Sequence, residues 1–398
     1  MPWKEKVIVT MREEFVKRVL SHEKSKAELC REYGISRPTG DKWIERYLNG
    51  QPLCDQSRAP HIVGNKTDDD IEKFIVDYRK KYPAIGAAKI HRMLLDEGFT
   101  DIPCPRTIND IFKRNGLITK EASQAAKPYV RFEKNEPNEM WQADFKGHFL
   151  MKNGARCHPL DIIDDCSRFN LCCAPLTGET YIEVKQQMEH VFSEYGMPYS
   201  FLCDNGTPWG TPQSTGYSRF EVWLMELGIL TLHGRILHPQ TQGKEERFNG
   251  SLTREFLKYE TFEDWEDARI KLEEYRNFYN NKRPHFALDL DTPSKHYQPS
   301  KREYTHKISE WEYSNEYDVR KVKESGYITI RNQGYFLSEA FGGKTIAVKV
   351  SSKGQHLINL YFRQFKIGQI DVEKRVFTFK RAYLIENDPR FAEAEHKK

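Results

Sequence analysis

Residues 141–149 read WQADFKGHF, an alternation of apolar and polar side chains that is typical of a β-strand with one buried face. The period of two places Trp141, Ala143 and Phe145 toward a core and Asp144 on the opposite face. A carboxylate is disfavoured in the middle of a strand, so something local should stabilise it. Asp144 is therefore either a plain exposed side chain or a functional carboxylate, and other acids must decide between the two.

Two further segments carry acids at positions that suit a site. In FLCDNG, residues 201–206, Asp204 ends an apolar run and the Asn-Gly pair supplies a sharp exit. Ligands in open α/β sheets bind at the carboxyl ends of strands, although an aspartate there also favours a turn without any function. In HPQTQGKEERFNG, residues 238–250, a loop leads into a helix with two acids at its start. The helix dipole alone would favour those acids, but it does not account for the preceding loop.

The chain around these acids alternates strands and helices. Strand-like segments occupy residues 140–150, 158–175 and 199–204, and helical patterns occupy 180–195, 217–227 and 243–258. This alternation predicts a central α/β core over 139–300. Beyond it, short alternating segments with glycine turns predict a small β-barrel over 301–385, whose Lys and Arg residues would bind a phosphate backbone irrespective of base sequence.

Helices precede this core. Residues 26–36 read KAELCREYGIS, a short helix and a glycine turn, and Ser36 can cap a second helix that tolerates Pro38 in its first turn. This pattern predicts a helix-turn-helix domain over 1–50, with a plain helical hairpin as the alternative. The side chains of the second helix that lie off its apolar stripe, and would face DNA, are Arg37, Thr39 and Lys42.

A second helical unit follows a polar linker. Residues 51–67 lack periodicity, whereas apolar residues recur at helical spacing across 68–120. We expect a second helix-turn-helix or winged-helix-like domain there, with Arg106 among its DNA contacts, so that two units in series read a longer site. Residues 121–138 form another polar, proline-containing linker before the core.

Composition and charge limit the possible functions. No apolar run approaches the roughly 18–20 residues needed to cross a bilayer, and the first residues lack the apolar stretch of a secretion signal, so we expect a cytoplasmic, nucleoid-associated protein without membrane contact. The eight cysteines include no Cys-x-x-Cys pair, which argues against structural zinc.

The charge of the chain is unevenly distributed. Residues 321–380 contain 11 Lys or Arg against 4 Asp or Glu, and residues 1–66 contain 13 against 9. The whole chain has a formal net charge of only +4, less than these two regions have together, so the residues between them carry a net negative charge. Basic regions on either side of an acidic centre suit a protein whose ends bind DNA and whose centre binds a metal.

Taken in order, these segments resemble the catalytic core of the retroviral-integrase-like, ribonuclease-H-like Asp-Asp-Glu recombinases, and more closely a bacterial insertion-sequence transposase. The motifs that carry the resemblance, in the family's order, are WQAD (141–144), DDCSRF (164–169), CDNG (203–206) and HPQTQGKEERFN (238–249). Each motif alone is weak, whereas the ordered set is specific. The helical units and the basic C-terminal region match the same family, so the resemblance covers nearly all of the chain.

The resemblance implies that the catalytic and metal-binding residues are Asp144, Asp204 and Glu246. Helical phase, however, places Glu245 rather than Glu246 within about 20° of the apolar stripe of its helix. Since family members tend to have an apolar residue at that position, we expect Glu246 to face the metal and Glu245 to be partly buried or paired with a base. The spacing alone leaves the choice between the two glutamates open.

The same resemblance implies the chemistry. Cleavage of a phosphodiester and transfer of its 3′ hydroxyl are in-line displacements, which two Mg²⁺ ions about 3.5–4 Å apart promote, with Mn²⁺ as a possible substitute. Mg²⁺ prefers oxygen ligands, so Asp144 would bridge the two ions, with Asp204 on one and Glu246 on the other. Contacts with DNA near the scissile bond are expected from Gln242, Lys244 and Arg247.

The expected partner is double-stranded DNA, both the terminal inverted repeats of a transposon and the target. Joining two ends implies at least a homodimer on DNA. Arg168, which follows the acid pair Asp164-Asp165, is expected to be a structural partner rather than a catalytic group.

Two other functions remain open, namely a DNA-binding regulator without catalysis and a structure-specific nuclease of the same fold. The presence of all three acids favours the enzyme, and the paired helical units favour a sequence-reading transposase.

Overall fold

The chain is organised in two compact units that divide between Thr67 and Asp68. The structure, a computed structural model, describes residues 5–55, 67–118, 134–211, 216–234 and 243–384. In these residues the first unit is helical, and the second combines helices with a mixed sheet and an antiparallel sheet. No helix in the described ranges has both the length and the apolar character of a membrane span.

The N-terminal unit consists of three helices around a small apolar core. They are α1 (Glu5–Leu20), α2 (Lys26–Glu32) and α3 (Arg37–Leu48). The Ser36 hydroxyl accepts a hydrogen bond from the Thr39 N–H at the start of α3, and Pro38 lies in the first turn, where its missing N–H is not needed. The buried side chains are Phe15, Val16, Leu29, Cys30, Trp43 and Leu53. The two short helices and the turn between them are as the sequence predicts.

The second unit begins with three more helices, which we call the second helical module. They are α4 (Asp69–Lys81), α5 (Ala87–Asp96) and α6 (Pro105–Arg114). The module is fixed to the rest of its unit, because the Tyr82 ring stacks on Phe278 with 5.1 Å between centroids and Arg92 forms an ion pair of 2.8 Å with Asp291. It therefore shares one compact unit with the central sheet.

A mixed sheet forms the centre of this unit. Its strands are β1 (Met140–Phe145), β2 (Phe149–Leu150), β3 (Arg156–Asp164), β4 (Asn170–Leu176), β5 (Ser200–Cys203) and β6 (Leu230–His233). Strand β3 lies antiparallel to both β4 and β1 and also pairs with β2, whereas β5 is parallel to β1 and β6 is parallel to β5. With helices on both faces, this sheet is the α/β core that the sequence predicts.

The two faces of the sheet carry different helices. One face packs against α7 (Tyr181–Tyr195) and α8 (Arg219–Glu226). The other packs against α9 (Gly243–Leu252), which continues as a π-helical turn over Thr253–Leu257, and against α10 (Trp265–Asn281). Because side chains alternate along β1, Trp141 and Ala143 enter the core under α7, while Asp144 lies on the face that carries α9.

The C-terminal region forms an open antiparallel sheet and a separate hairpin. Its strands are β7 (Asp318–Lys321), β8 (Tyr327–Ile330), β9 (Gln333–Phe336), β10 (Thr345–Ser351), β11 (Gly354–Phe362), β12 (Phe365–Asp371) and β13 (Val376–Leu384). The sheet has the order β13-β12-β11-β10-β7, and β8 pairs with β9. The sheet packs against α8, where the Tyr217 hydroxyl donates to the Ile367 carbonyl at 3.1 Å and Lys344 lies 2.5 Å from Glu226.

The small β-barrel predicted from the sequence is not confirmed. In the described part of the chain, β7 and β13 are the two edges of the sheet and do not pair with each other. A barrel closes only when its first and last strands are hydrogen-bonded, with strand tilt and register to match. Alternating apolar residues predict the individual strands, but they carry no information on whether the two edges meet.

Candidate active site

Asp144 lies near the end of β1, on the face of the sheet that carries α9. Its Oδ1 accepts a hydrogen bond from the Phe145 N–H at 2.8 Å, and its Oδ2 accepts one from the Asn249 amide at 3.2 Å. Burial raises the pKa of Asp144 to about 6; the Phe145 N–H opposes this rise, and the charges of Asp204 and Glu179 add to it. A half-buried carboxylate with acidic neighbours is a place where a cation would be stabilised.

Asp204 is brought next to Asp144 by the pairing of two parallel strands. Gln142 on β1 lies opposite Leu202 on β5, and each aspartate follows two residues later, Asp144 within β1 and Asp204 directly after the end of β5. The Gly206 N–H donates to Asp204 Oδ1 at 3.0 Å. A Cβ at position 206 would lie 3.2 Å from the other carboxylate oxygen, so glycine leaves the space that this carboxylate occupies. Burial raises the pKa of Asp204 as well.

The adjacent glutamates at the start of α9 have opposite environments. Glu245 is only 1% exposed, and no hydrogen-bond donor in the described ranges reaches either of its carboxylate oxygens. Glu246 is exposed and lines the same cavity as Asp144. The helical phase that places Glu245 with the apolar stripe accounts for this difference. Burial, followed by the charges of Asp161 and Asp144, raises the pKa of Glu245 well above its usual value.

A solvent-open cavity of about 460 Å³ lies beside these acids. Its lining residues are Asp144, Phe145, Lys146, Glu246, Asn249, Gly250, Thr253, Arg254 and Lys258. Three of them, Lys146, Arg254 and Lys258, are cations that sequence reasoning missed. Arg254 and Lys258 could have been found from the sequence. Positions 246, 250, 254 and 258 follow one another at the four-residue spacing of one helix face, which predicts that these two residues lie on the same side as Glu246. The carboxylates of Asp144 and Glu246 thus line a cavity whose border also carries positively charged side chains.

The residues predicted to touch DNA near the site have different environments. Lys244 Nζ lies 2.5 Å from Asp165 Oδ1 and 3.1 Å from the Asp165 carbonyl oxygen, so Lys244 takes part in an ion pair within the protein. Arg247 is exposed on α9. Gln242 lies outside the described residues. The DNA contacts assigned to these three residues remain predictions.

The residues predicted to touch DNA in the helical units lie mainly at the surface. Arg37 and Lys42 are exposed on α3, and Arg106 is exposed at the start of α6. Thr39 is half-buried, and its hydroxyl lies 2.8 Å from that of Ser36. Thr39 thus helps to begin the helix, whereas the three basic side chains are accessible to a ligand. Their contacts with DNA also remain predictions.

The acid pair after β3 stabilises its own turn. Asp164 Oδ1 accepts hydrogen bonds from the Ser167 N–H at 2.8 Å and from the Ser167 hydroxyl at 2.6 Å. Asp165 is fully buried and receives the Lys244 ammonium. Arg168 is 6% exposed, has a positive φ of 64° and donates to the Cys166 carbonyl at 3.2 Å. This geometry agrees with the structural role expected for Arg168.

A fourth acid near the site, Asp161, was missed from the sequence. It pairs with Asp144 across the β1–β3 register and is fully buried. Within the described ranges, no N–H or O–H group donates to either of its carboxylate oxygens; burial raises its pKa well above the usual value, and the neighbouring Cys173 thiol opposes this rise. The signal was its position inside the apolar run Leu160–Ile163, where a carboxyl group is expensive to bury.

The acids fit a hard divalent cation in their chemistry, although they do not form a closed ligand set. The described part of the chain contains no group of three or more His, Cys, Asp and Glu side chains gathered so as to hold a metal ion. Asp144 shares a cavity with Glu246, and the charge of Asp204, directly after the neighbouring strand β5, acts on its carboxylate. All three offer carboxylate oxygens, which Mg²⁺ prefers. The mutual repulsion that contributes to the raised pKa of Asp144 is what a bound cation would relieve.

Separate parts of the chain match known protein families. The integrase core domain family matches residues 134–239, and a second integrase core domain family matches residues 227–293. A helix-turn-helix domain family matches residues 11–61, and the C-terminal domain of IS481 family transposases matches residues 317–378. Over these ranges the chain is thus similar to integrase cores, with a match to helix-turn-helix domains before the core and a match to a transposase C-terminal domain after it.

The chain is also similar to proteins of bacterial insertion elements. It is 28% identical over 182 residues to the 31.7 kDa protein of IS407 from Burkholderia multivorans, a match that covers 46% of this chain and 61% of that protein. It is 24% identical over 267 residues to the 39.2 kDa protein of IS476 from Xanthomonas euvesicatoria, covering 63% and 74%. It is 24% identical over 288 residues to the transposase InsD of IS2 from Escherichia coli, covering 65% and 91%. The chain thus spans less than two thirds of the Burkholderia relative.

Two solved structures show a slight likeness to the chain. The HTLV-2 integrase catalytic core domain in complex with magnesium is 18% identical with a TM-score of 0.32, covering 41% of this chain and 98% of that one. The simian T-cell lymphotropic virus intasome in complex with PP2A regulatory subunit B56 gamma is 18% identical with a TM-score of 0.36, covering 79% and 99%.

Proposed function

We propose that the protein is a DNA transposase that cleaves the ends of its element and transfers the resulting 3′ hydroxyl to target DNA. The observation that carries the proposal is the cavity shared by Asp144 and Glu246, with Asp204 close by at the end of the neighbouring strand β5. The relationship to integrase cores and to insertion-element proteins supports the same function.

The metal ligands in this proposal are the carboxylates of Asp144, Asp204 and Glu246. When bound, two Mg²⁺ ions, or Mn²⁺ in their place, activate the attacking oxygen and stabilise the leaving oxygen of an in-line displacement at phosphorus. Asp144 lines a cavity with Glu246, and its carboxylate is affected by the charge of Asp204. This position would suit Asp144 to be the ligand shared by both ions, with Asp204 as a ligand of one ion and Glu246 of the other. The amide of Asn249 orients Asp144 through its hydrogen bond to Oδ2.

Three cations at the cavity are the proposed contacts for the phosphate backbone around the scissile bond. Lys146 lies directly after β1, two residues beyond Asp144, while Arg254 and Lys258 come from the π-helical turn after α9 and the residue that follows it. Contacts to phosphate position a strand without reading its sequence. Their place beside the acids would hold the phosphodiester against the attacking group.

Recognition of the element's ends is assigned to the N-terminal helix-turn-helix domain. The exposed Arg37 and Lys42 on α3 would lie in the major groove, as the second helix of this motif does in general. Double-stranded DNA is therefore the proposed partner, both as terminal repeat and as target. Because two ends must be joined, we propose at least a homodimer on DNA.

A DNA-binding regulator without catalysis is the competing function. One observation favours it, because the acids in the described ranges do not form a closed metal-binding group. The two functions differ in a measurable property, since the regulator binds the ends of the element without cutting them. A structure-specific nuclease would cut without joining.

The test uses full-length protein, a duplex of the terminal repeat, a target plasmid and Mg²⁺. The proposal expects cut ends and joined products from the natural protein, and neither from Asp144→Asn, which should still bind the duplex. Glu303→Gln is the matched control, because Glu303 is exposed and does not line the cavity. Mg²⁺-dependent cutting by Asp144→Asn would remove Asp144 from the mechanism. Binding without cutting by the natural protein would favour the regulator, and cutting without joining would favour the nuclease.

A further inference from the structure

His233, the last residue of β6, is held between two oxygen atoms in the interior of the core. Its side chain is 4% exposed. The ring Nδ1 lies 2.6 Å from the backbone carbonyl oxygen of Asp204, and Nε2 lies 2.9 Å from Glu221 Oε1. The ring thus connects α8 directly to the main chain of the residue that carries one of the proposed metal ligands.

The backbone neighbour of the ring, the Asp204 carbonyl oxygen, can only accept a hydrogen bond. A carbonyl oxygen has no proton to give, so the contact with Asp204 requires an N–H on Nδ1. Glu221 is itself fixed, because its other carboxylate oxygen accepts the Ser218 N–H at 2.7 Å in the capping box of α8. The glutamate therefore fixes the plane of the ring, and the ring fixes the Asp204 carbonyl.

The segment after β5 has a second tie to the same strand. The Asn205 amide donates to the Gly234 carbonyl at 3.1 Å, next to His233 in the chain. A Cβ at Gly210 would lie 3.2 Å from the His233 ring, so the returning loop also packs closely against the imidazole. The direction in which the Asp204 side chain leaves the main chain is thus set by bonds on either side of it.

We propose that His233 is a positioning residue that orients Asp204 toward Asp144 through the hydrogen bond to the Asp204 carbonyl. This inference rests on the proposed function, and it adds a residue that none of the catalytic motifs contains. Loss of the bond leaves a buried carbonyl without its donor, so the turn relaxes to satisfy it and the carboxylate leaves its place beside Asp144. Groups that orient a metal ligand typically change metal affinity by roughly 10–100-fold when they are removed.

Two substitutions separate positioning from general stability. His233→Asn retains an N–H close to the place of Nδ1 and loses the contact with Glu221. His233→Gln reaches toward Glu221 and loses the donor to Asp204. Both remove the ring from the same packed position, so both should lower the melting temperature to a similar extent. Only the second should displace Asp204.

The readout is Mn²⁺ binding by the DNA-free, full-length protein, followed by electron paramagnetic resonance, with single-turnover cleavage and thermal melting alongside. We expect His233→Gln to weaken Mn²⁺ binding by roughly 10-fold or more and His233→Asn by less than about threefold, with cleavage rates in the same order. Equal Mn²⁺ affinities in the two variants, or affinities that follow the melting temperatures instead, overturn the inference. Asp204→Asn is the reference: unchanged Mn²⁺ binding in that variant overturns the proposed metal site itself, whereas a loss there with normal binding by His233→Gln overturns only the role of His233.

Discussion

The adjacent glutamates at the start of α9 offer the sharpest test of the site, because the same substitution at neighbouring positions should have opposite effects. Glu245→Gln removes a carboxyl group that is 1% exposed and has no hydrogen-bond donor in the described ranges. Glu246→Gln removes one that is exposed and lines the cavity of Asp144. We expect the first variant to be more stable than the natural protein and still active, and the second to be equally stable and inactive.

The magnitude follows from the proton that Glu245 must hold. Burial, followed by the charges of Asp161 and Asp144, raises the pKa of Glu245 well above the value of 4.5 that it has in an unfolded chain. The folded protein therefore retains a proton that the unfolded chain has released, and the free energy of unfolding falls as pH rises above 4.5. Each pH unit in this range costs about 1.4 kcal/mol. At pH 7 the loss is at most about 3.5 kcal/mol, since 2.5 pH units separate pH 7 from 4.5.

The assay is thermal unfolding of the full-length variants in EDTA at pH 4 and pH 7, with cleavage measured separately in Mg²⁺. At pH 4 the carboxyl group is protonated in the folded chain and largely protonated in the unfolded one, so Glu245→Gln should melt close to the natural protein. At pH 7 it should melt several degrees higher, because it no longer has a proton to take up. Glu246→Gln should show no shift at either pH.

Two results would refute this reasoning. A Glu245→Gln variant that is no more stable at pH 7 would show that the carboxyl group has a compensating partner. Cleavage lost in Glu245→Gln and retained in Glu246→Gln would assign the third metal ligand to Glu245 and reverse the choice between them. The natural protein and Glu303→Gln, an exposed acid outside the cavity, serve as references.

Three more predictions follow from the structure. Replacing both Arg254 and Lys258 by Ala should weaken DNA binding on all sequences and reduce the slope of log K against log salt by about 2, and an unchanged slope would show that these cations do not touch phosphate. Deleting residues 1–66, nearly all of the first compact unit, should abolish preference for element ends and leave weak, salt-sensitive binding, so retained preference would place end recognition elsewhere. Gly206→Ala should lower cleavage while binding persists, because its Cβ would lie 3.2 Å from Asp204 Oδ2; cleavage at the natural rate would show that the turn absorbs the methyl group.

Several elements could be predicted from the sequence because they depend on neighbours along the chain. The turn between α2 and α3 follows from the cap at Ser36 and the tolerance of Pro38 in a first helical turn. The side of β1 on which Asp144 lies follows from the period of two. Likewise, the burial of Glu245 follows from the phase of its helix, since the period of 3.6 already places it with the apolar stripe.

Other features depend on residues that are distant in sequence. The sequence predicts a DNA contact for Lys244. Its ion pair with Asp165, at 2.5 Å, could not be predicted, because it depends on where the turn that carries Asp165 lies in the folded chain. The pairing of Asp161 with Asp144 requires the register of β1 and β3, and the contact of His233 with Asp204 requires β6 to lie beside β5.

What the sequence determined by itself was therefore the kind of element at each position and the side of that element on which each acid lies. What only the tertiary structure decided was which of those sides meet: the cavity of Asp144 and Glu246, the cations Arg254 and Lys258 at its border, and the open edges of the C-terminal sheet. The physical reason is that helix and strand periods follow from local sterics and hydrogen bonding, whereas strand order and packing of helices on the sheet follow from burying apolar surface over the whole unit.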